Sequence, residues 1–193
     1  MVDRVGGGGR GSNRPAPRGR GGRPGPGANR PRGAGGGPGG PAGSPEPRKT
    51  GGLNLRHLAG NDFELTHPKC VQEMWPDYEE GLEIWRAGEP EEARDALRYA
   101  LQGCGDNIWV HVALGKIALE SAKDPNLARG HFGYAYELAN KALPRDFKGR
   151  LPRNRDANLP FFEAIEGLIA CHAALEQPAS ADELRSLIKR ISG

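Results

Sequence analysis

Leucine, isoleucine, phenylalanine, tryptophan, tyrosine and cysteine are all missing from residues 1–52 of this 193-residue chain. A segment without large apolar side chains cannot bury enough surface to offset its chain entropy, so no fold is expected there. Cysteine is scarce elsewhere too. Cys70, Cys104 and Cys171 are odd in number and widely spaced. That argues against a disulfide framework and for thiols packed as small apolar groups in a reducing, cytoplasmic compartment. No run reaches the roughly 18–20 apolar residues that a membrane span needs. The most apolar stretch, Ile108 to Leu119, is interrupted by His111 and Lys116. No apolar region follows the first charges, so neither a secretory signal nor membrane association is expected.

What residues 1–52 do hold is 19 Gly, 9 Pro and ten basic residues against two acids, Asp3 and Glu46, a formal charge of +8. Residues 53–193 hold all twelve aromatics, with 17 basic residues against 22 acidic, a charge of −5. The first segment reads as a disordered, extended Gly/Arg/Pro-rich tail. Its arginines, among them Arg10, Arg18, Arg20, Arg23 and Arg32, are candidate contacts for RNA or another polyanion, through phosphate pairing and counterion release. No aromatics are interleaved to stack on bases. Arg20-Gly21-Gly22 is the one full RGG step, and the glycine runs lack the Gly-Lys-Ser/Thr of a phosphate loop. A passive spacer is the alternative.

From about residue 73 the apolar spacing takes a helical period. Six segments are predicted as helices: 75–87, 90–103, 107–121, 125–143, 159–176 and 181–191. Gly88 suits a helix exit, and Pro90 a first helical turn. Asp106 or Asn107 can cap the third segment, Asp124 the fourth, and Ser180 with Glu183 has capping-box spacing for the last. No segment has strong strand alternation, so the domain is expected to be all-α. The expected organisation is tail 1–52, linker or strap 53–74, and helical domain 75–193.

The segments pair as helix, short turn, helix. Gly81 and Gly115 stand 34 residues apart in the first helices of two successive pairs. The second helices carry Ala93, Leu97 and Ala100, then Ala128, Phe132 and Ala135, with Leu114 beside Gly115. A third, looser pair has Gly167 followed by Ala181, Leu184, Leu187 and Ile188, after an insertion of 18 residues relative to that spacing. This pattern resembles the tetratricopeptide repeat (TPR) family: small residues let two helix backbones approach, and a large one fills the groove between them. The sequence departs from the family at Glu80, where an apolar residue is usual, and at Gly105, where the closing proline would stand.

The resemblance implies an α-solenoid of about three hairpins, a protein-binding module with no cofactor and no catalytic role. It implies a concave groove lined by the first helices, here Tyr78, Leu82, Trp85, Arg86, Trp109, Val112, Lys116, Glu120 and Phe161. Trp85 and Trp109 serve either as anchors or as core. The lysine–asparagine–arginine clamp by which some TPR domains hold acidic C-termini is not matched, since Tyr78, Leu82 and Ala113 occupy the corresponding positions. The expected occupant is a peptide or helix of a protein partner. Three pairs are near the minimum for a stable stack, so self-association at an open end is a further expectation.

Two segments lie outside the repeats. Residues 144–160 carry Arg145, Lys148, Arg150, Arg153 and Arg155 against Asp146 and Asp156. They read as an exposed loop pinned by Phe147 and Leu151, or as a second polyanion surface. Residues 53–74 read as a strap packed on the first helices through Phe63, Leu65 and Val71. For catalysis the residues do not converge. His57, His67, His111, His131 and His172 fall in no HExxH or other ligand motif. His67 and Cys70 lack a second pair for a metal site. Cys171 and His172 point about 100° apart on a helix and cannot form a thiolate–imidazole pair.

Overall fold

The computed structural model describes residues 52–192. The polyanion contacts expected at Arg10, Arg18, Arg20, Arg23 and Arg32 lie outside the described residues, as does the rest of the tail up to Gly51.

The described chain is mostly helical. It opens, however, with two strands, β1 (Asn54–His57) and β2 (Phe63–Thr66), paired antiparallel with Leu55 opposite Leu65 and His57 opposite Phe63. Seven helices follow: α1 (Lys69–Glu73), α2 (Trp75–Arg86), α3 (Pro90–Gly103), α4 (Ile108–Glu120), α5 (Pro125–Ala142), α6 (Leu159–Ala174) and α7 (Pro178–Ser192). The helical domain is all-α as expected, and the hairpin and α1 give regular structure to the linker or strap expected at 53–74. A strand pair only four residues long gives too few positions for alternation to stand out.

Local chemistry accounts for the helix ends. Proline occupies the first or second position of α2, α3, α5 and α6 and begins α7, where its missing N–H leaves no bond unmade. Asn107 caps α4, its side-chain oxygen accepting from the N–H groups of Trp109 at 3.1 Å and Val110 at 3.4 Å. Asp124 caps α5 in the same way at 3.0 Å to Asn126 and Leu127. Gly88 leaves α2 with φ +92°. The capping box expected at Ser180 and Glu183 is not used as such, because α7 starts earlier, at Pro178, and both residues lie inside the helix.

Consecutive helices pack on one another throughout, α2 on α3, α4 on α5, α5 on α6 and α6 on α7 most extensively and α3 on α4 less, and α4 also packs on α6 and α2. Gly81, Ala93, Leu97, Ala100, Leu114, Gly115, Ala128, Phe132 and Ala135 are all buried at these seams, and Gly167 is half-buried. Phe132 is the hub of the larger core. A methyl on Gly115 of α4 would fall 2.8 Å from its ring, and one on Gly167 of α6 would fall 2.5 Å from it. Only bare backbone fits on those two sides.

The strap divides between two supports. Val71 packs beside Met74 and Trp109, on the first helices as expected, while the hairpin that carries Phe63 packs on residues 144–160, the inserted segment. The Phe63 N–H donates to the Arg150 carbonyl at 2.8 Å and the Arg150 N–H to the Asn61 carbonyl at 2.8 Å. Phe63 meets Phe147 edge to face at 5.2 Å, and Arg150 pairs with Asp62 at 2.7 Å. Asn158, fully buried, fixes the junction: its oxygen accepts from the Leu65 N–H at 2.9 Å, and its amide donates to the carbonyls of Phe63 at 3.2 Å and Pro152 at 3.1 Å. Its polar atoms are all partnered, so its burial is compensated. The expectation of a freely exposed basic loop is thereby narrowed to Arg145, Lys148 and Arg155, since Arg153 also pairs, with Glu166 at 2.8 Å, and lies over the Phe162 ring.

Cys70 and Cys104 are joined by a disulfide with a Cα separation of 5.4 Å. This corrects the expectation of three packed thiols and removes the ground on which cysteine usage pointed to a reducing compartment. Cys171 alone is a free, buried thiol, its pKa raised by burial. Among the described residues no helix is long and apolar enough to cross a membrane.

Candidate functional site

The most distinctive concavity is a cleft of about 460 Å³ beside α2. One face of that helix supplies Trp75, Tyr78, Glu79, Leu82, Glu83 and Arg86. These residues fall at helical intervals of three and four, so they form a single stripe. Trp109 enters from α4, and Asp156 and Leu159 close the third side from the end of the inserted segment and the start of α6. Three stretches of sequence far apart in the chain therefore meet at one surface. A concavity of about 500 Å³ on α7 has no comparable construction, being lined by that helix alone and by no aromatic ring.

The cleft floor is aromatic. Trp75 and Tyr78 have ring centroids 5.0 Å apart, Trp75 and Trp109 meet edge to face at 5.8 Å, and Tyr78 and Trp109 are 6.3 Å apart. Rings this close brace one another and leave no room between them for a ligand. What they offer is an outer surface. Trp75 is 36% exposed, one of the few large apolar side chains so open among the described residues. Behind Trp109 lie His67, at 6.2 Å, and the apolar cluster of Cys70, Val71, Cys104 and Met74. Each bonded cysteine stands five residues before a cleft tryptophan, Cys70 before Trp75 and Cys104 before Trp109. The covalent link thus ties together the bases of the two tryptophan-bearing helices.

Charge is arranged along the stripe. Glu79, Glu83 and Asp156 contribute three carboxylates and Arg86 one guanidinium. None of the four takes part in an ion pair among the described residues, whereas Lys116 is paired with Glu163 at 3.2 Å. Tyr78, 9% exposed, has its pKa pushed up to about 12, first by burial and then by the Glu163 carboxylate, with Arg86 acting against and Glu79 adding to the rise. Its hydroxyl stays protonated as a donor throughout the physiological range.

Of the groove residues expected from sequence, the structure brings together Tyr78, Leu82, Arg86 and Trp109. The others are elsewhere. Val112 and Phe161 are buried core, Phe161 stacking on Tyr136 at 5.8 Å. Trp85 turns aside, its indole N–H donating to the Ser121 hydroxyl at 3.4 Å and its ring packing against the first hairpin's core. Lys116 is held by Glu163, and Glu120 is exposed near the end of α4. Trp75, Glu79, Glu83, Asp156 and Leu159 also line the cleft and are not among the groove residues expected from sequence. Trp75 carried a signal, standing 34 residues before Trp109 in the register of Gly81 and Gly115. The two glutamates follow from extending the α2 stripe. Asp156 and Leu159 reach the cleft only through the path of the inserted segment, which leaves no local trace.

The histidines stay apart from this surface except for His67. Its ring N–H donates to the Ala157 carbonyl at 2.8 Å, and burial lowers its pKa. His111 donates to the Gly105 carbonyl at 3.0 Å and lies 4.5 Å from the Tyr134 ring. His131, 5.9 Å from His111, has its pKa lowered to about 4 by burial, then by His111 and by Arg98 and Arg94. Among the described residues no three metal-ligating side chains come together.

Neither protein-family models, nor curated proteins, nor solved structures match this chain.

Proposed function

We propose that the chain is a non-catalytic protein-binding module, its hairpins stacked in the manner of tetratricopeptide repeats, and that the α2 cleft receives a segment of a partner protein. The observation that carries this reading is the cleft itself: tryptophans of two successive first helices, Trp75 and Trp109, share one floor with Tyr78. Aromatic side chains and arginine supply most of the binding free energy at protein interfaces, and here both border one concavity. The repeat reading is supported by three pairs of like residues 34 apart: Cys70 and Cys104, Trp75 and Trp109, Gly81 and Gly115. It is also supported by packing: Gly81 sits against Leu97 as Gly115 sits against Phe132.

Affinity capture with the whole chain, in parallel with Trp75→Ala and Trp109→Ala variants, tests it. The proposal expects at least one partner that binds the purified wild-type chain directly and is lost from both variants. Identical partner profiles for all three chains would sink it.

The +8 charge of residues 1–52 favours a second reading, an RNA- or polyanion-binding arm. Replacing Arg10, Arg18, Arg20, Arg23 and Arg32 by Gln would then flatten the logarithmic salt dependence of binding to single-stranded RNA by about 3 to 4, at roughly 0.7 for each phosphate no longer neutralised. An unchanged slope would exclude those arginines.

A further inference from the structure

We infer that the α2 cleft selects a basic segment, one that lays the aliphatic part of an arginine or lysine on the Trp75–Trp109 floor and delivers its cationic head to Glu79 and Glu83. The inference deepens the protein-binding reading and rests on it.

Three observations carry it. The first is charge: three carboxylates against one guanidinium border the cavity, and none of them is paired among the described residues. The second is order along the helix. Reading α2 from its start, the cleft-lining face runs from aromatic (Trp75 and the largely buried Tyr78) to acidic (Glu79, Glu83) to basic (Arg86). A cationic side chain approaching the first two zones meets ring faces and carboxylates together, and that pairing favours a guanidinium or ammonium over a neutral polar group. An acidic side chain would find one favourable group, Arg86, at the far end of the stripe. The third is size. The stripe spans eleven residue steps, about 16 Å at 1.5 Å each, which an extended segment of about five residues covers.

The test uses the whole chain and three amidated eight-residue probes without tryptophan: leucine alternating with arginine, with glutamine, or with glutamate. The readouts are emission of the cleft tryptophans and calorimetry. The arginine probe is expected to bind, at least tenfold more tightly than the glutamine probe, with the glutamate probe leaving the tryptophan emission unchanged. Substituting Glu79→Gln with Glu83→Gln should weaken the arginine probe about five- to tenfold while leaving the glutamine probe unaffected. Both positions are exposed on α2, so the fold is expected to persist, and far-UV circular dichroism checks that it does. If the glutamate or glutamine probe binds best and Trp75→Ala abolishes it, the sign of the partner is wrong and the cleft reading stands. If the arginine probe binds equally well to the Gln variant, the two carboxylates are not its receptor and the inference falls. If none of the three probes perturbs the tryptophans up to about 1 mM, the weak limit of specific recognition, both the inference and the peptide-binding reading of the cleft fall.

Discussion

A single methyl group added at Gly115 tests the packing on which the domain depends. Two effects oppose each other. Alanine in a helix interior is worth about 1 kcal/mol more than glycine, through lower chain entropy in the unfolded state. Against that, the new carbon would stand 2.8 Å from the Phe132 ring, where carbon–carbon contacts settle at about 3.5–4.0 Å. The ring is 1% exposed and has the backbone of Gly167 against it as well, so it cannot withdraw without moving a helix. Overpacking a well-filled core costs about 1–3 kcal/mol, and this site, confined on two sides, belongs at the upper end. Gly115→Ala is therefore expected to be destabilising by about 1–2 kcal/mol net, and Gly167→Ala by at least as much, its contacts being 2.5–2.6 Å. Gly130→Ala in the exposed part of α5, with nothing within 4 Å, should instead stabilise by about 0.5–1 kcal/mol. Urea unfolding followed by circular dichroism reads all three as midpoint shifts at constant slope. Trimming the ring in the same protein, Phe132→Leu with Gly115→Ala, should recover part of the loss and give a favourable coupling of at least about 1 kcal/mol. If Gly115→Ala raises the midpoint as Gly130→Ala does, the close seam between α4 and α5 is not there.

The disulfide, the Asn158 junction and the half-buried His131 each carry a prediction of their own. Replacing both Cys70 and Cys104 by Ala opens a loop of 34 residues and should lower stability by about 2–4 kcal/mol, with wild-type protein under dithiothreitol moving the same way; an unchanged unfolding midpoint in both would show that the bond constrains nothing. Asn158→Ala strands the buried Leu65 N–H and two carbonyls and should cost about 3 kcal/mol, and amide hydrogen exchange at Leu65 should rise first; protection equal to wild type would refute it. His131 is held neutral in the folded chain, with a pKa of about 4 against an ordinary 6.5, so the unfolded chain binds the extra proton between those values. Stability is then fully present above about pH 6.5 and declines as pH falls towards 4. The loss is on the order of 1–2 kcal/mol once the partial exposure of the ring is allowed for, and His131→Asn should flatten the slope between pH 7 and 5.

The helical half of this architecture was written locally. Pro90, Pro125 and Asp124 mark helix starts wherever they occur, because a missing N–H or a short carboxylate has one favourable place in a helix. The seam residues were legible for a related reason. Alanine, glycine and one large side chain at fixed intervals leave few ways for two helices to approach. What sequence could not supply was the use of residues 53–66 and 144–160. Neither segment has a pattern of its own; each becomes ordered by supplying the other's hydrogen-bond partners, as Asn158 does for Leu65 and Arg150 for Phe63. The disulfide escaped for a different reason. Counting three cysteines treats them as one population, although two of them stand in the 34-residue register and the third does not.

Under the binding role proposed above, the same register would prepare the cleft before a partner arrives. Trp75 and Trp109, 34 residues apart in sequence, meet edge to face at 5.8 Å. The disulfide five residues upstream of each fixes their bases, and mutual ring contacts at 5.0–6.3 Å restrict their rotamers. A floor held in this way loses little side-chain entropy on binding, so most of the contact free energy is available to affinity. Selectivity must then come from groups that are not braced. Those are Glu79, Glu83, Asp156 and Arg86, unpaired among the described residues and free to choose between charges. A rigid aromatic floor with an uncommitted acidic rim separates the two tasks: Trp75→Ala should weaken every ligand of the cleft alike, and Glu79→Gln only the cationic ones.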